Sequence, residues 1–255
     1  MFTWSTNVAA QVSSTYFFRT ASATGNITFV AGGDYETGST DSQQLGPQLS
    51  RAASDRASSL SSSSSSSGPA FGVMAGDVCY ENAMPTCYRR WDFWLREWNA
   101  NMRGVDASVT PSRALLVPIV TAVGNHEAGG MFSQSAALMP FYARYLPQQV
   151  ALQSANPGTG RPMYHAHWLG NHTLLLVLDS GVIAGNEVDD ALGAQTLFVR
   201  AALAQAVAAN VMNRIVTYHY SLYPSKQNPW EAAFVATLRA AWGPLFDEFN
   251  VTLYV

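Results

Sequence analysis

Short apolar runs alternate along the chain with longer segments in which apolar residues recur at helical spacing. The apolar runs predict strands at residues 26–31, 71–75, 115–123, 173–178, 213–218 and 251–255. The helical spacing predicts helices over residues 47–60, 88–103, 139–146, 195–209 and 230–249. Gly243-Pro244 is expected to interrupt the last of these helices. Gly170-Asn171 follows another apolar run, at residues 163–168, and predicts an antiparallel hairpin. This alternation predicts an α/β fold with a mainly parallel sheet and an antiparallel addition.

Two segments of this pattern carry further detail. Trp91, Trp94 and Trp98 fall on one face of the second predicted helix, an arrangement that is typical of a stripe facing the core. Residues 37–70 are polar and rich in serine, and we interpret them as an insertion. Its unbroken serine run, residues 61–67, has no apolar surface to bury and is expected to be a mobile linker or a family-variable insertion.

Composition narrows the classes of function. The chain has 255 residues, of which 48% are hydrophobic and 12% charged, enough to bury one large core. Its formal net charge is −3 without a cluster of Lys or Arg, which argues against nucleic-acid binding and favours a small or locally charged substrate. The longest apolar stretches, at residues 114–123 and 173–178, are shorter than the roughly 20 residues that cross a bilayer. The sequence therefore predicts no membrane span.

Weaker signals bear on localisation. The N-terminal segment lacks both a basic start and a continuous apolar core, so it does not have the pattern of a secretory signal. Asn26, Asn171 and Asn250 each begin a glycosylation sequon, a motif that also arises by chance. Cys79 and Cys87 lie in one loop, at a separation that suits a local disulfide or two reduced thiols. Together these features favour an oxidising compartment on the secretory route.

Polar side chains follow the predicted strands at the points where the strands end. Each offers an oxygen or nitrogen donor, and they are Asp34, Asp77, Tyr80, Asn125 and His219. Because the carboxyl ends of parallel strands meet at one crevice, we expect these side chains to converge. A lone Asp after a strand is usually a cap or turn residue, and a lone buried His is usually only hydrogen-bonded. Five such residues in the same relative place instead favour a site for two metal ions.

Three segments of the chain, in this order and spacing, resemble the metallophosphoesterase superfamily. They are GDVCYE at residues 76–81, GNHE at residues 124–127 and VTYHYSLY at residues 216–223. Tyr80 makes the resemblance closest to the purple acid phosphatases, because the wider superfamily more usually lacks a tyrosine there. The resemblance implies a mixed β-sheet sandwich flanked by helices over residues 23–255. It also implies that residues 1–22 are the tail of a preceding fibronectin-like β-domain.

The resemblance implies an acid phosphatase that hydrolyses small phosphate monoesters with a metal-bound hydroxide as the nucleophile. The implied cofactors are Fe(III) and a divalent ion, which would be Zn, Fe or Mn. The implied roles are Fe(III) ligands at Asp34 and Tyr80, a bridging carboxylate at Asp77, divalent-metal ligands at Asn125 and His219, and a phosphate contact that assists the leaving group at His126. A secreted or lysosome-like location fits the same resemblance.

The chain departs from the family pattern at two points. Glu36 stands where the family's first motif, Asp-x-Gly, has glycine. The family's last motif, Gly-His-x-His, gives one histidine to each metal and does not appear, although residues 250–255 resemble the strand before it. We therefore expect a chain truncated before its final ligands. Two alternatives stay open: a phosphodiesterase or nucleotide pyrophosphatase of the same superfamily, and a catalytically silent binding module.

Other polar residues receive a structural interpretation. His165 and His167 form an H-x-H pair that projects from one face of a strand. Their stretch resembles a family hairpin without ligands, so we expect packing there instead of metal binding. Asp179 is interpreted as a turn or supporting residue, and Glu127 is expected to orient either its loop or His126.

Overall fold

The computed structural model describes residues 15–21, 23–35, 40–60, 66–82, 84, 87–127, 145, 164–180, 188–225, 229 and 231–255. Over these residues the chain is a mixed α/β protein. Its four helices in the described part are α1 (Thr40–Leu60), α2 (Tyr88–Asn101), α3 (Val188–Ala208) and α4 (Ala232–Glu248). The predicted helix at residues 139–146 lies outside the described residues except for Tyr145.

Ten short strands form three small sheets in the described part of the chain. The first sheet is parallel, with the order β1 (Val30–Gly32), β3 (Gly72–Met74), β6 (Ile119–Thr121). The second has the order β10 (Leu253–Tyr254), β9 (Asn213–Thr217), β8 (Thr173–Val177), β7 (His165–Leu169), with β7 antiparallel to β8 as the hairpin prediction requires. The third is antiparallel, with the order β2 (Ser66–Ser67), β4 (Arg103–Asp106), β5 (Arg113–Leu116).

The first two sheets pack face to face. Val73 on β3 and Val177 on β8 belong to one buried apolar cluster. Successive side chains of a strand point to opposite faces of a sheet, so Met74 joins a second cluster with α2, and Leu176 joins a third with α3 and α4. The layers therefore follow the order α2, first sheet, second sheet, and then α3 with α4.

The tryptophan stripe on α2 is a core face, which confirms the prediction from its spacing. Trp91, Trp94 and Trp98 are almost wholly buried in the cluster that includes Met74. The Trp98 indole also donates a 3.0 Å hydrogen bond to the Val117 carbonyl. A Cβ added to Gly72 would lie 2.3 Å from this indole. The missing side chain at Gly72 thus lets α2 pack directly onto the strand that leads to Asp77.

Two predicted elements have different extents in the structure. The single strand predicted at residues 115–123 is divided between β5 and β6, which belong to different sheets. Pro118 lies between them and has no N–H to donate, while its carbonyl accepts a 2.8 Å hydrogen bond from Gly72 N. The interruption predicted at Gly243-Pro244 was also wrong. α4 continues through it, because residues on both sides pack into the same apolar cluster.

The serine-rich insertion contains regular structure. α1 begins at Thr40 and is longer than the predicted helix, and it buries Ser54 and Ala57. The Ser54 hydroxyl donates a 2.9 Å hydrogen bond to the Arg103 carbonyl, which satisfies the buried polar group. Ser66–Ser67 forms β2 and pairs with β4. The linker predicted over residues 61–67 was therefore wrong for its last two residues.

Cys79 and Cys87 are both free cysteines in the structure, which is the second of the two alternatives that the sequence left open. Cys79 is wholly buried in the apolar cluster with Trp91, whereas Cys87 is half-buried just before α2. The sulfur of Cys79 thus belongs to the core, and proximity in sequence did not bring the two side chains into bonding geometry.

Residues 15–20 lie against the third sheet. Phe18 forms a parallel bridge with Leu116, and Leu116 N donates a 2.7 Å hydrogen bond to the Phe17 carbonyl. The Arg19 guanidinium donates to the Gly68 carbonyl at 3.0 Å. Whether residues 1–22 derive from a fibronectin-like domain stays a prediction. Among the helices that the structure describes, none combines the length and the apolar character needed to cross a membrane.

Candidate metal centre

The candidate ligands lie on four loops that follow strands. In chain order, Asp34 follows β1, Asp77 and Tyr80 follow β3, Asn125 follows β6, and His219 follows β9. Because β1, β3 and β6 are parallel neighbours, three of the loops leave the first sheet at the same end, where the carboxyl ends of its strands lie. β9 delivers the fourth loop from the second sheet. The structure brings the five predicted side chains together at this end.

His219 occupies the middle of this group. Its Nδ1 hydrogen bonds to the Ala75 carbonyl at 2.9 Å, and its Nε2 lies 2.9 Å from Asn125 Oδ1 and 3.4 Å from Asp77 Oδ2. A carbonyl accepts hydrogen bonds only, so Nδ1 carries a proton. Metal-binding histidines are commonly oriented by such a bond, and this one leaves Nε2 aimed at the two side-chain oxygens.

The carboxylates of Asp34 and Asp77 lie beside His219. One ligand atom from each of the three residues can be chosen so that all lie within 4.8 Å of one another. The Tyr80 hydroxyl donates a short hydrogen bond to Asp34 Oδ1, which adds a phenol to the group. Asp77 is buried in this arrangement, and Asp34 is exposed. The side chains thus surround a space that is open to solvent on the Asp34 side.

The backbone is strained at three of these residues. Asp34, Asp77 and Tyr80 have φ angles of 50°, 52° and 53°. This left-handed region is tolerated by Asp but is unusual for a bulky residue such as tyrosine. Conformations of this kind cost about 1–3 kcal/mol each and concentrate at functional sites. All three left-handed residues thus belong to the group of candidate ligands.

Two glycines allow the second and third loops to approach each other. A Cβ on Gly124 would lie 2.1 Å from Asp77 Oδ1, and a Cβ on Gly76 would lie 2.7 Å from Gly124 N. Gly76 also has a φ of 89°, which side chains rarely adopt. The loop that carries Asp77 and the loop that carries Asn125 are therefore in backbone contact.

The carboxylate of Glu127 links the same two loops. Its Oε2 accepts 2.8 Å hydrogen bonds from Asp77 N and Gly124 N, and its Oε1 accepts one of 2.7 Å from Val78 N. Burial, followed by the charge of Asp77, raises the pKa of Glu127 to about 7, although the backbone N–H groups oppose this rise. Glu127 was expected to orient either its loop or His126. Its hydrogen bonds show the first of these roles.

Glu81 is a second buried carboxyl group, which the sequence analysis missed. Burial, followed by the charge of Glu127, raises the pKa of Glu81 to about 8. Neither oxygen has a hydrogen-bond partner of good geometry among the described residues. The signal in the sequence was its place next to Tyr80 in the GDVCYE segment. Acidic loop residues are almost always exposed, so composition gave no reason to place it inside.

The charges within the group shift one another's pKa values. Burial opposes protonation of His219, but its contact with the Asp77 carboxylate outweighs burial and raises the pKa of His219 to about 9. Burial also opposes ionisation of Asp77, yet His219 holds the pKa of Asp77 below its usual range. Burial and the hydrogen bond to Asp34 raise the pKa of Tyr80 far above its usual value. The phenol therefore stays protonated unless a metal ion replaces its proton.

His126 lies at the open side of the group. Its ring packs against the Tyr80 ring with centroids 4.1 Å apart, and its Nδ1 hydrogen bonds to Asn82 Oδ1. Its Nε2 lies 3.8 Å from Asp77 Oδ2, and its side chain is 30% exposed. Burial lowers the pKa of His126, although the charge of Asp77 opposes the shift. The imidazole is thus next to the candidate ligands and within reach of a small molecule from solvent.

The donor set is suited to metal ions. Two carboxylates and a phenol favour a hard trivalent ion, and an imidazole with an amide oxygen suits a borderline divalent ion. Asp77 lies between these two sets of donors. Its Oδ2 is 3.4 Å from His219 Nε2, and one of its carboxylate oxygens lies within 4.8 Å of a carboxylate oxygen of Asp34. The residues present are therefore consistent with two ions bridged by one carboxylate.

Other predicted residues lie elsewhere or are not described. His165 and His167 are on β7, the edge strand farthest from β10. The Asp179 backbone exchanges hydrogen bonds of 2.7 Å and 2.9 Å with the Gln195 side chain on α3, which agrees with a supporting role. Glu36 lies outside the described residues. The three sequon asparagines, Asn26, Asn171 and Asn250, are all exposed.

Comparison with known proteins adds little to this geometry. No protein-family model matches the chain, and no curated protein matches it. A solved structure described as "GAP50 the anchor in the inner membrane complex of Plasmodium" is similar at 14% identity and a TM-score of 0.44. The alignment covers 89% of this chain and 64% of that one, so this chain spans less than two thirds of its length. A likeness at this level supports no inference about fold or function.

Proposed function

We propose that this chain is a metal-dependent phosphomonoesterase of the purple acid phosphatase type. The observation that carries the proposal is the direction of His219 Nε2, which points at Asn125 Oδ1 and Asp77 Oδ2 while Nδ1 is held by the Ala75 carbonyl. That arrangement is expected of a metal-binding imidazole. Tyr80 beside Asp34 extends the group with the donor that distinguishes this family within its superfamily.

In this proposal Asp34 and Tyr80 hold Fe(III), and Asn125 and His219 hold Zn, Fe or Mn. The carboxylate of Asp77 would be shared by the two ions, a role that its central and buried position supports. When bound, the ions would neutralise charge on the phosphoryl group and activate a water molecule for attack. Glu127 holds the backbone of both metal loops in position for this binding.

The role of His126 follows from its place at the open side. Its Nδ1 hydrogen bonds to the Asn82 amide oxygen, which only accepts, so Nε2 can donate a hydrogen bond to a phosphate oxygen or a proton to the leaving alcohol when the imidazole is protonated. The Tyr80 ring and the Asn82 amide fix the orientation of its imidazole. In this proposal the substrate is a small phosphate monoester whose leaving oxygen would lie next to His126.

The finer classification of the fold belongs to the same proposal. The order of helix, sheet, sheet and helices supports a sandwich of the metallophosphoesterase type.

The exposed sequon asparagines, Asn26, Asn171 and Asn250, support a secretory compartment. A loss of mass after enzymatic removal of N-linked glycans from the native protein would test this location.

The position of β10 indicates where the two histidines of the family's Gly-His-x-His motif would lie. β10 runs parallel to β9, and the Val255 carbonyl accepts a 3.1 Å hydrogen bond from Tyr218 N, next to His219. A Gly-His-x-His segment directly after Val255 would lie beside the candidate centre. Reading the coding sequence past Val255 tests this point. A different segment there would favour a silent binding module.

Hydrolysis of two model substrates tests the reaction class. Protein loaded with iron and zinc should hydrolyse p-nitrophenyl phosphate faster than bis(p-nitrophenyl) phosphate. Asp77→Asn should abolish the activity because the shared carboxylate is lost, whereas the matched control Asp247→Asn, exposed on α4, should retain it. Faster hydrolysis of the diester would favour the phosphodiesterase alternative. Full metal loading without hydrolysis of either substrate would contradict the proposal that the chain is an enzyme.

A further inference from the structure

Two arginines lie at the start of α2, where positive charge is unfavourable. Arg89 and Arg90 are in the first turn of this helix, which contains no acidic residue and has no side-chain cap. The N-terminus of a helix carries partial positive charge, so a cation there is normally destabilising. Arg89 is exposed, and its Nε lies 3.4 Å from the hydroxyl of the neighbouring Tyr88. Arg90 is half-buried, so its contacts with other parts of the chain offset the cost of its position.

The guanidinium of Arg90 reaches back to the loop that follows β3. Its Nη1 donates a hydrogen bond of 3.1 Å to the Tyr80 carbonyl and a longer one of 3.4 Å to the Cys79 carbonyl. The Asn82 amide also donates to the Tyr80 carbonyl, at 3.4 Å. Hydrogen bonds from a charged donor are stronger than those from a neutral one. Arg90 therefore makes the principal contact with the Tyr80 carbonyl.

This carbonyl belongs to a residue with an unfavourable backbone conformation. Tyr80 has a φ of 53°, in the left-handed region that a bulky residue rarely adopts. Such a conformation persists only where the surrounding structure holds it. The phenol of the same residue donates a hydrogen bond to Asp34, and its ring packs against His126. Because a side chain moves with its backbone, a bond that holds the Tyr80 peptide group also holds the phenol beside Asp34.

We propose that Arg90 is a positioning residue for Tyr80, and that its guanidinium holds the loop in the conformation that presents the phenol to a trivalent metal ion. This inference rests on the proposed function, in which Tyr80 binds Fe(III). Arg90 acts through the loop, because its hydrogen-bond partners among the described residues are backbone carbonyls. Burial is the main cause of the lowered pKa of His126, and the charge of Arg90 adds to it, which agrees with a guanidinium close to this group.

The carbon-13 resonance of the Tyr80 phenol tests this role in the metal-free protein. Tyrosine labelled at Cζ would be incorporated into the wild type, Arg90→Gln and Arg89→Gln, and the peak missing from Tyr80→Phe would identify the resonance. We expect Arg90→Gln to shift this resonance toward that of solvent-exposed tyrosine, because the phenol leaves Asp34. Arg89→Gln removes the same charge from the same helical turn and should leave the resonance unchanged. Equal spectra of the two variants would overturn the inference.

A lysine variant covers the case in which Arg90→Gln does not fold. Arg90→Lys keeps the charge, but its side chain is one bond shorter and lacks the planar fork, so its ammonium group meets the carbonyls in a different geometry. The Tyr80 resonance should therefore shift in the same direction by a smaller amount, whereas Arg89→Lys should not shift it. An unshifted resonance in a folded Arg90→Lys would then overturn the inference.

Iron binding separates a failure of this inference from a failure of the proposed function. Iron-loaded wild type should show the tyrosinate-to-iron band, and Arg90→Gln should bind Fe(III) about 10–100-fold more weakly in competition with a chelator. Arg89→Gln should match the wild type. Equal iron affinity of the two variants would overturn the role of Arg90 and leave a coloured wild type in agreement with the proposed function. A wild type that is colourless with iron bound would instead contradict the Tyr80 ligand and the inference that rests on it.

Discussion

Asp77 N donates a 2.8 Å hydrogen bond to the buried carboxylate of Glu127, fifty residues farther along the chain. The same carboxylate oxygen accepts a second bond of 2.8 Å from Gly124 N. One side chain therefore fixes the backbone of the loop that carries Asp77 and of the loop that carries Asn125. The candidate metal ligands on those loops owe their spacing to a residue that is not itself a candidate ligand.

Glu127→Gln should weaken the connection between the two loops. An amide can present only one oxygen, so at least one buried N–H would face another donor, at a cost of about 1–3 kcal/mol in the free energy of unfolding. Urea denaturation would measure this loss, and metal content should fall with it. Glu81→Gln is the matched control, because the raised pKa of Glu81, about 8, keeps that group largely neutral at pH 7. Equal effects of the two substitutions would contradict a specific role for Glu127.

Gly124→Ala should displace the carboxylate of Asp77. The added Cβ would lie 2.1 Å from Asp77 Oδ1, too close for both groups to remain in place. We expect overpacking to lower the free energy of unfolding by about 1–3 kcal/mol and metal affinity to fall about 10–100-fold. Gly32→Ala is the control, since a Cβ there meets nothing within 4 Å. Metal titration by calorimetry would measure both variants, and unchanged affinity in Gly124→Ala would exclude the close approach.

The places of the candidate ligands could be predicted from the sequence because each follows an apolar run. The hydrophobic pattern alone marks where buried strands end, and it was enough to assign Asp34, Asp77 and Asn125 to one edge of a sheet. The tryptophan stripe of α2 and the hairpin at Gly170 were predictable for the same reason. Each depends on local periodicity or turn chemistry.

Other features could not be predicted, because they depend on contacts between distant segments. The burial of Glu81 and the hydrogen bonds of Glu127 arise only when the second and third loops meet. The division of residues 115–123 depends on Pro118 and on the third sheet, and the serines of β2 pair because β4 is available beside them. The disulfide alternative rested on sequence separation, which does not show that Cys79 faces the core.

Tyr80→Phe should bleach the protein. If the phenol binds Fe(III), the iron-loaded wild type should have a visible tyrosinate-to-iron charge-transfer band, and removal of the hydroxyl should abolish it. Tyr35→Phe is the control, because the Tyr35 hydroxyl contacts Ser50 instead of the candidate ligands. Absorption spectra of the iron-loaded proteins would measure the band. An active wild type that is colourless and free of iron would rule out the tyrosinate ligand.

His126→Ala should lower turnover of p-nitrophenyl phosphate by about 10²–10⁴-fold, the range expected when a general acid is removed. Both metals should remain bound, because His126 Nε2 lies 3.8 Å from Asp77 and is not placed among the ligands. Steady-state kinetics and metal analysis of the same sample would measure the two effects. His172→Ala, in the hairpin turn, should leave both unchanged. Metal loss in His126→Ala would make this histidine a ligand instead of an acid.

Anomalous diffraction from crystals grown with iron, zinc and phosphate would test the central claim most directly. We predict two ions roughly 3.5–4 Å apart, the spacing of two-metal sites. Asp77 should lie between them, with Tyr80 on the iron, His219 on the zinc and the phosphate within reach of His126. Full metal loading of the protein with no ion between Asp34 and His219, or with phosphate bound away from this group, would contradict the account.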